Sequence, residues 1–187
     1  MIFPDAAGLR RTVPARFALR VLLAVLASTP VVRAQCVVGV NGGLQFGPGT
    51  WAHAPASGVL DGLGDFTIET FVKTTAPTGY LVDRFRCCNG TTTDDAFSLS
   101  VVNGKPNIEL AAASGAYASV SATQAVNDGT WRHVAVVRSG ATTTFYVDGA
   151  AAGSFMFAPT LGATGGKTAF GVSQTPSGTP SGASFNG

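Results

Sequence analysis

An all-β sandwich is the fold class that the sequence predicts, on three observations. Charged residues make up 12% of the 187-residue chain, against roughly 25% in an average soluble domain. The 24 Gly residues, together with abundant Thr and Ala, argue against helical bundles and coiled coils. Short runs rich in β-branched and aromatic residues alternate with Gly-bearing turns, as in sandwiches and jelly rolls. The length suits one domain with its own hydrophobic core.

The formal net charge of +2 is unevenly distributed along the chain. Five basic residues and one acidic residue, Asp5, lie in the first 34 positions. The basic ones are Arg10, Arg11, Arg16, Arg20 and Arg33. The remaining 153 residues hold seven basic and nine acidic side chains, a net charge of −2. No basic surface is left to bind a polyanion by counterion release, which excludes nucleic acid as a partner.

The basic N-terminal segment has the pattern of a secretory signal peptide. Residues 10–20 form a positive region, residues 21–27 form an apolar stretch, and Val32 and Ala34 suit a cleavage site before Gln35. The apolar stretch is far shorter than the roughly 20 residues of a transmembrane helix. An uncleaved signal anchor is the alternative. We therefore predict a signal peptide at 1–34, a lead-in at 35–42, a domain at 43–187, and a secreted or cell-surface protein without stable membrane insertion.

The strand and turn pattern of the mature chain is explicit at several places. Asn103-Gly104 lies between two strand-like runs and tolerates the positive φ values of a type I′ hairpin turn. Ser139-Gly140 and Asp148-Gly149 predict two further hairpins. The predicted strands are 44–46, 65–73, 80–85, 97–102, 105–111, 131–138, 143–147 and 150–155.

The strand predicted at 65–73 carries apolar residues on both sides of its pleat. Phe66, Ile68 and Val72 alternate with Thr67, Glu69 and Phe71. Because neither side is wholly polar, we expect neighbours on both faces of this strand.

Three runs, in this order, resemble one known superfamily: Asp65 to Val72 (DFTIETFV), Trp131 to Arg138 (WRHVAVVR) and Phe145 to Gly149 (FYVDG). The chain resembles the laminin G-like, concanavalin A-like lectin/glucanase jelly-roll superfamily over about 43–187. Phe71 stands where that superfamily usually has Trp, and Arg132 where it often has His. The resemblance implies an antiparallel two-sheet jelly roll.

Local chemistry gives these motifs a structural interpretation. Trp131 and His133 share one strand face with Ala135 and Val137, so we interpret His133 as a core histidine. Asp148 followed by Gly149 is explained by a hairpin turn and needs no ligand.

The residue inventory disfavours an enzyme. After residue 34 the chain has two Glu residues, Glu69 and Glu109, and no E-x-D-x-x-E arrangement of the related glucanases. Glycoside hydrolysis normally needs two carboxyl groups about 5 to 9.5 Å apart. His53 and His133 are the only histidines, and Gly165-Gly166-Lys167-Thr168 lacks the first Gly of a phosphate-binding loop. No catalytic residue is predicted. The alternatives are a glycoside hydrolase using Glu69 and an accessory domain of a larger secreted enzyme.

A non-catalytic binding or adhesion module is the predicted function, with a glycan or an extracellular protein as its partner. In similar domains a calcium ion at the rim often organises the ligand site, and calcium prefers about 6 to 8 oxygen ligands. The candidate calcium ligands here are Asp83, Asn89, Asp94 and Asp95. The candidate glycan-binding aromatic residues are Tyr80, Phe85 and Tyr117. Asn89-Gly90-Thr91 also matches an N-glycosylation sequon.

The three cysteines permit one disulfide after export. Cys36 pairs with either Cys87 or Cys88, and the spacing does not decide which. Two adjacent Cys residues and two scattered His residues do not make a zinc site.

The C-terminal phrase Phe185-Asn186-Gly187 usually precedes a further strand in the superfamily that the chain resembles. That strand returns to pair with the N-terminal strand. The resemblance therefore implies an almost complete jelly roll that lacks its closing strand, with an unpaired sheet edge. The alternative is a natural end in a Ser, Thr, Pro and Gly tail from Ser173 to Ser184.

Overall fold

Antiparallel strands account for nearly all regular structure in the computed structural model. It describes residues 35–37, 43–84, 96–163, 165–175 and 179–187, all within the unit Arg33–Gly187. The strands in these ranges are β1 (Gln35–Val37), β2 (Gly43–Gln45), β3 (Ala52–Ala54), β4 (Phe66–Val72), β5 (Gly79–Asp83), β6 (Phe97–Val102), β7 (Lys105–Ala111), β8 (Tyr117–Ser121), β9 (Arg132–Ser139), β10 (Thr142–Val147), β11 (Ala150–Met156), β12 (Thr168–Phe170), β13 (Ser173–Gln174) and β14 (Pro180–Ser181). The same ranges hold one 3-10 turn at Gly58–Leu60.

Two sheets form the sandwich. The larger has the order β3-β12-β5-β6-β7-β8, and the smaller has the order β11-β10-β9-β4. Two short pairs, β1 with β2 and β13 with β14, complete the pattern. All pairings are antiparallel. The predicted all-β, two-sheet jelly-roll class is confirmed.

The core lies between the inner faces of the two sheets. Alternate residues of β6 and β7 from the larger sheet and of β9 and β10 from the smaller one are fully buried, because a strand sends every second side chain to one face. They include Leu99, Val101, Ile108, Leu110, Val134, Val136, Phe145 and Val147.

The hairpin turns follow the chemistry of their residues. Asn103 and Gly104, between β6 and β7, have φ values of 50° and 77°. Asp148 and Gly149, between β10 and β11, have φ values of 52° and 80°. Asn and Asp tolerate this left-handed region, and Gly enters it without a steric cost. These two predicted turns are confirmed, as is the third, at Ser139-Gly140 between β9 and β10, where Gly140 has a φ value of 56°.

Strand β4 differs from the prediction that both of its faces are covered. It is the terminal strand of the smaller sheet in the described part of the chain. Phe66, Ile68 and Val72 face the core, whereas Glu69 and Phe71 on the opposite face are exposed. The prediction was wrong because an aromatic residue on the second face was equated with burial, although apolar atoms contribute much of any protein surface.

A buried arginine fixes the loops at one end of the larger sheet. Arg84, at the end of β5, forms an ion pair of 2.6 Å with Asp61. Its guanidinium also donates to the carbonyl oxygens of Ser57 and Gly166 and, at 3.1 Å, to the Thr168 hydroxyl. Thr168 begins strand β12, so the Gly-Gly-Lys-Thr run enters a strand and not a phosphate-binding helix.

The last residue of the chain lies beside the N-terminal part of the domain. Gly187 and Phe46 exchange two backbone hydrogen bonds, at 2.8 Å and 3.1 Å. The Thr74 hydroxyl donates to the carbonyl oxygen of Asn186 at 2.5 Å. The absence of a closing strand stays a prediction.

Candidate functional site

The outer face of the larger sheet brings together two of the three predicted glycan-binding residues. Strands β5 to β8 place polar and aromatic side chains there by alternation and register. We call the set the tyrosine face; it comprises Tyr80, Asp83, Ser98, Ser100, Lys105, Asn107, Glu109, Tyr117, Ser119 and Ser121. The third predicted aromatic residue, Phe85, lies outside the described residues.

Glu109 forms a hydrogen bond with one of the two tyrosines. The Tyr117 hydroxyl donates to Glu109 Oε1 at 3.0 Å. Tyr117 is 56% exposed, and Tyr80 is half-buried on β5, two strands away from Glu109. The face therefore offers a carboxylate bonded to one phenol that is open to solvent, with a second, half-buried phenol two strands away.

The electrostatics of this face couple the three side chains. Burial, and then the negative charge of Glu109, raise the pKa of Tyr80 above its ordinary value, with a smaller contribution from Asp83. Burial, the charge of Glu109 and the hydrogen bond to Glu109 raise the pKa of Tyr117. Both phenols consequently stay neutral hydrogen-bond donors to higher pH than an isolated tyrosine.

Further polar side chains lie beside Glu109 on the same face. Asn107 Nδ2 donates to Ser121 Oγ at 3.0 Å and lies 3.5 Å from Ser119 Oγ. Ser98 faces Glu109 across the β6–β7 pair. Its hydroxyl is buried and has no hydrogen-bond partner among the described residues. The hydrogen bond from Asn107 to Ser121 joins β7, which carries Glu109, to β8, which carries Tyr117.

Of the four predicted calcium ligands, Asp83 lies within the described residues. Asp83 lies at the end of β5, where its Oδ2 accepts the backbone N–H of Gln174 at 2.7 Å. The carbonyl oxygen of Asp83 accepts from Gln174 Nε2 at 2.9 Å. Asn89, Asp94 and Asp95 lie outside the described residues, as do Cys87 and Cys88. Cys36 lies on β1, where no side chain is described. The calcium site and the disulfide stay predictions.

The outer face of the smaller sheet has a different character. We call it the aromatic face; it comprises Glu69, Phe71, Trp131, His133, Tyr146 and Met156. Phe71 is 70% exposed and Trp131 is 61% exposed. No carboxylate bonded to tyrosine is described on this face, and its apolar groups are open to water.

His133 is not the core histidine that the sequence suggested. It lies opposite Phe71 in the β4–β9 pair, with the two ring centroids 4.9 Å apart. Its Nε2 lies 3.4 Å from Glu69 Oε2. The error came from assigning the face of β9 that holds Trp131 and His133 to the interior. Alternation gave the shared face correctly, but the inward face is the one with Val134 and Val136.

The Asp-Gly turn has a structural role beyond its backbone conformation. Asp148 Oδ1 accepts the backbone N–H of His133 at 2.9 Å, and Asp148 Oδ2 accepts from Arg132 Nη1 at 2.8 Å. Arg132 also pairs with Asp128. The hydrogen bond from the His133 backbone N–H makes the largest contribution to the lowered pKa of Asp148. The hydrogen bond from Arg132 makes the largest contribution to the lowered pKa of Asp128. Arg132 and His133 at the start of β9 are thus joined to Asp148 in the turn between β10 and β11.

His53 lies at the opposite edge of the larger sheet from Tyr117. It is on β3, with its ring centroid 5.1 Å from that of Trp51. Burial, followed by the charge of Lys167, lowers the pKa of His53. Neither histidine belongs to the tyrosine face.

Among the described residues, neither a metal-ligand cluster nor a membrane-spanning helix is present. No group of three or more His, Cys, Asp or Glu side chains is placed there to hold a metal ion. Among the same residues, no helix has the length and apolar character needed to cross a membrane.

Comparison with known families gives a match over most of the chain. The model described as the concanavalin A-like lectin/glucanases superfamily, of laminin G type, matches residues 39–187. No curated protein sequence matches the chain significantly.

Solved structures with a similar fold come from several organisms. Domains LG4-5 of the mouse laminin α1 chain align with a TM-score of 0.57 and 19% identity, covering 79% of this chain and 40% of that one. The Ruminococcus gnavus IT-sialidase CBM40, bound to α2,3-sialyllactose, aligns at 0.53 and 19%, covering 67% and 72%. The SAP-like pentraxin of Limulus polyphemus aligns at 0.52 and 22%, covering 72% and 65%. The chain thus spans less than half of the laminin fragment, and these similarities show the fold.

Proposed function

Because the chain belongs to the concanavalin A-like lectin/glucanases superfamily, we propose that it is an exported, non-catalytic module that binds a glycan through the tyrosine face. The observation that carries the proposal is the hydrogen bond of 3.0 Å from Tyr117 to Glu109. The negative charge of Glu109 also contributes to the raised pKa of Tyr80 on the same face. Convergent polar groups beside aromatic rings, with perturbed pKa values, are typical of ligand sites.

The chemistry of these groups suits a sugar. A carboxylate accepts hydrogen bonds from hydroxyl groups, and a charged acceptor makes stronger bonds than a neutral one. A tyrosine ring offers an apolar surface with a polar tip, which fits the alternating C–H and O–H groups of a pyranose ring. Glu109 and the two tyrosines supply both kinds of contact.

A solved complex of similar fold supports a glycan as the ligand but does not identify which glycan. The Ruminococcus gnavus CBM40 of similar fold is bound to a sialylated sugar. The extracellular-protein partner remains the alternative within the same function class. The predicted signal peptide at 1–34 supports export.

A binding screen with matched variants tests the proposal. The secreted chain is applied to a glycan array and to a panel of matrix proteins, with calcium and with a chelator. Tyr117→Ala is expected to weaken glycan binding at least about tenfold, as for an aromatic residue at the centre of a binding site. Phe71→Ala, which removes an exposed aromatic ring from the aromatic face, is the control and should leave binding unchanged.

The outcomes of the screen separate the alternatives. Matrix-protein binding that is lost in Tyr117→Ala, without glycan binding, would replace the glycan by a protein partner. Loss of binding in the chelator would support the predicted calcium site. Equal effects of the two aromatic variants would remove the tyrosine face as the binding surface.

The enzyme alternative is tested on the same polysaccharides. Product analysis is expected to show binding without release of reducing sugar. Hydrolysis that disappears in Glu69→Gln would overturn the non-catalytic assignment. Export is tested by N-terminal sequencing of the secreted chain, which should begin at Gln35.

A further inference from the structure

The solvent-accessible part of the tyrosine face around Tyr117 carries the negative charge of Glu109. The carboxylates of the face are Glu109, at the hydrogen bond to Tyr117, and Asp83, buried at the end of β5. The cation of its described part is Lys105, four residues before Glu109 on β7 and therefore about 14 Å away along the strand.

Two of the donors near Glu109 are already engaged within the face. Tyr117 donates its hydroxyl proton to Glu109, and the Asn107 amide donates to Ser121. The Ser98 hydroxyl opposite Glu109 is buried. An incoming anionic group would therefore meet a carboxylate whose exposed neighbouring donor, Tyr117, already points to that carboxylate. An incoming hydroxyl group would instead find an acceptor in Glu109.

From this arrangement we infer that the tyrosine face selects uncharged sugars and discriminates against sugars that carry a carboxylate or a sulfate. The inference rests on the proposed function and names the ligand class of the same site. The raised pKa values of Tyr80 and Tyr117 agree with it, because the charge of Glu109 contributes to both.

The difference in affinity between neutral and anionic sugars depends on the distance between Glu109 and the charge of the sugar. Two like charges a few ångströms apart near a protein surface repel strongly enough to change an affinity about tenfold or more. The repulsion weakens as salt screens it. Preference for the neutral sugar should therefore be greatest at low ionic strength.

Matched ligand pairs test the inference on the full secreted chain. Each neutral glycan of the array is compared with its sialylated, uronic or sulfated counterpart, with lactose and α2,3-sialyllactose as one pair. The neutral member is expected to bind at least about tenfold more tightly at low salt. Glu109→Gln should reduce that ratio to within about threefold. Glu69→Gln, which removes the same charge from the aromatic face, is the control and should preserve the ratio.

Two results would overturn the inference while leaving the proposed function intact. One is tighter binding of the anionic member in a manner that depends on Tyr117. The other is a neutral preference that persists unchanged in Glu109→Gln. The absence of any glycan binding that depends on Tyr117 would overturn the proposed function and this inference together.

Discussion

The two outer faces of the sandwich differ in a way that their residue types do not suggest. On the tyrosine face, the polar side chains of Ser98, Ser100 and Asn107 are 0%, 3% and 5% exposed. On the aromatic face, Phe71 and Trp131 are mostly exposed. Polar groups are thus buried on the face that carries the candidate site, and apolar groups are open on the other.

This difference shows how the protein can hold a precise polar site without a large charged surface. The buried Asn107 side chain bonds to Ser121 and so joins β7, which carries Glu109, to β8, which carries Tyr117. The exposed rings of the aromatic face need no such support, since isolated apolar residues are common on protein surfaces. Position within the sheet, and not residue type, separates the two faces.

The largest effect on stability is expected from removing the buried Asn107 amide, which bonds to Ser119 and Ser121 on β8. Because both serine hydroxyls are exposed, water replaces the amide in Asn107→Ala, and the free energy of unfolding should fall by about 0.5 to 1.5 kcal/mol, the usual net value of a hydrogen bond. Phe71→Ala, the control on the aromatic face, should change it by no more than about 0.5 kcal/mol. Urea unfolding of the two variants measures the contrast, and equal losses would contradict it.

A smaller effect of opposite sign is expected at Ser98. Its buried hydroxyl has no hydrogen-bond partner among the described residues, so Ser98→Ala removes a desolvated polar group. The free energy of unfolding should rise by up to about 1 kcal/mol, again measured in urea. Ser119→Ala on the exposed β8 is the comparison. A loss of stability in Ser98→Ala would mean that the hydroxyl is bonded after all.

The tyrosine face should also respond to alkaline pH. Because folding raises the pKa of Tyr80 and Tyr117 above 10.0, the folded state favours the neutral phenols. The resulting stability is present below pH 10 and is lost as the pH rises through the raised values. Tyrosinate absorbance should show two late-titrating residues, and Glu109→Gln should shift them towards lower pH. Unchanged titration in that variant would show that Glu109 does not act on them.

The smallest effect is expected on the aromatic side, at the exposed Arg132 cluster. Folding lowers the pKa values of Asp128 and Asp148 from 3.8, so their stabilising effect is present above pH 3.8 and is lost as the pH falls below it. Arg132→Gln should flatten this acid dependence of the melting temperature, whereas Lys73→Gln should not. An identical acid profile in both variants would assign the cluster no role in stability.

Local sequence chemistry predicted the turns and the candidate aromatic residues of the site. Asn103-Gly104 and Asp148-Gly149 adopt the positive φ values that these residue types favour. The sequence predicts Tyr80 and Tyr117 as glycan-binding residues, and the structure places both on one face. The sequence gives Glu109 no binding role, because nothing in its neighbours on β7 indicates the tyrosine on β8.

The motif around His133 illustrates the opposite case. Alternation placed Trp131 and His133 on one face of β9 but contains no information on which face meets the other sheet. That depends on Val134 and Val136 packing against residues distant in sequence. The pairing of Arg132 with both Asp128 and Asp148 likewise requires the turn before β9 and the turn after β10 to meet.

The sequence by itself determined the all-β class, the hairpin turns, the low charge outside the first 34 residues and the superfamily. These depend on backbone preferences, on alternation along single strands and on motif order, which are local properties. The tertiary structure decided which face of each strand is buried, and it brought Tyr80, Glu109 and Tyr117 together from three strands. The buried face of a strand and its contacts with other strands depend on register and on the packing of two sheets. No single segment of the sequence encodes these.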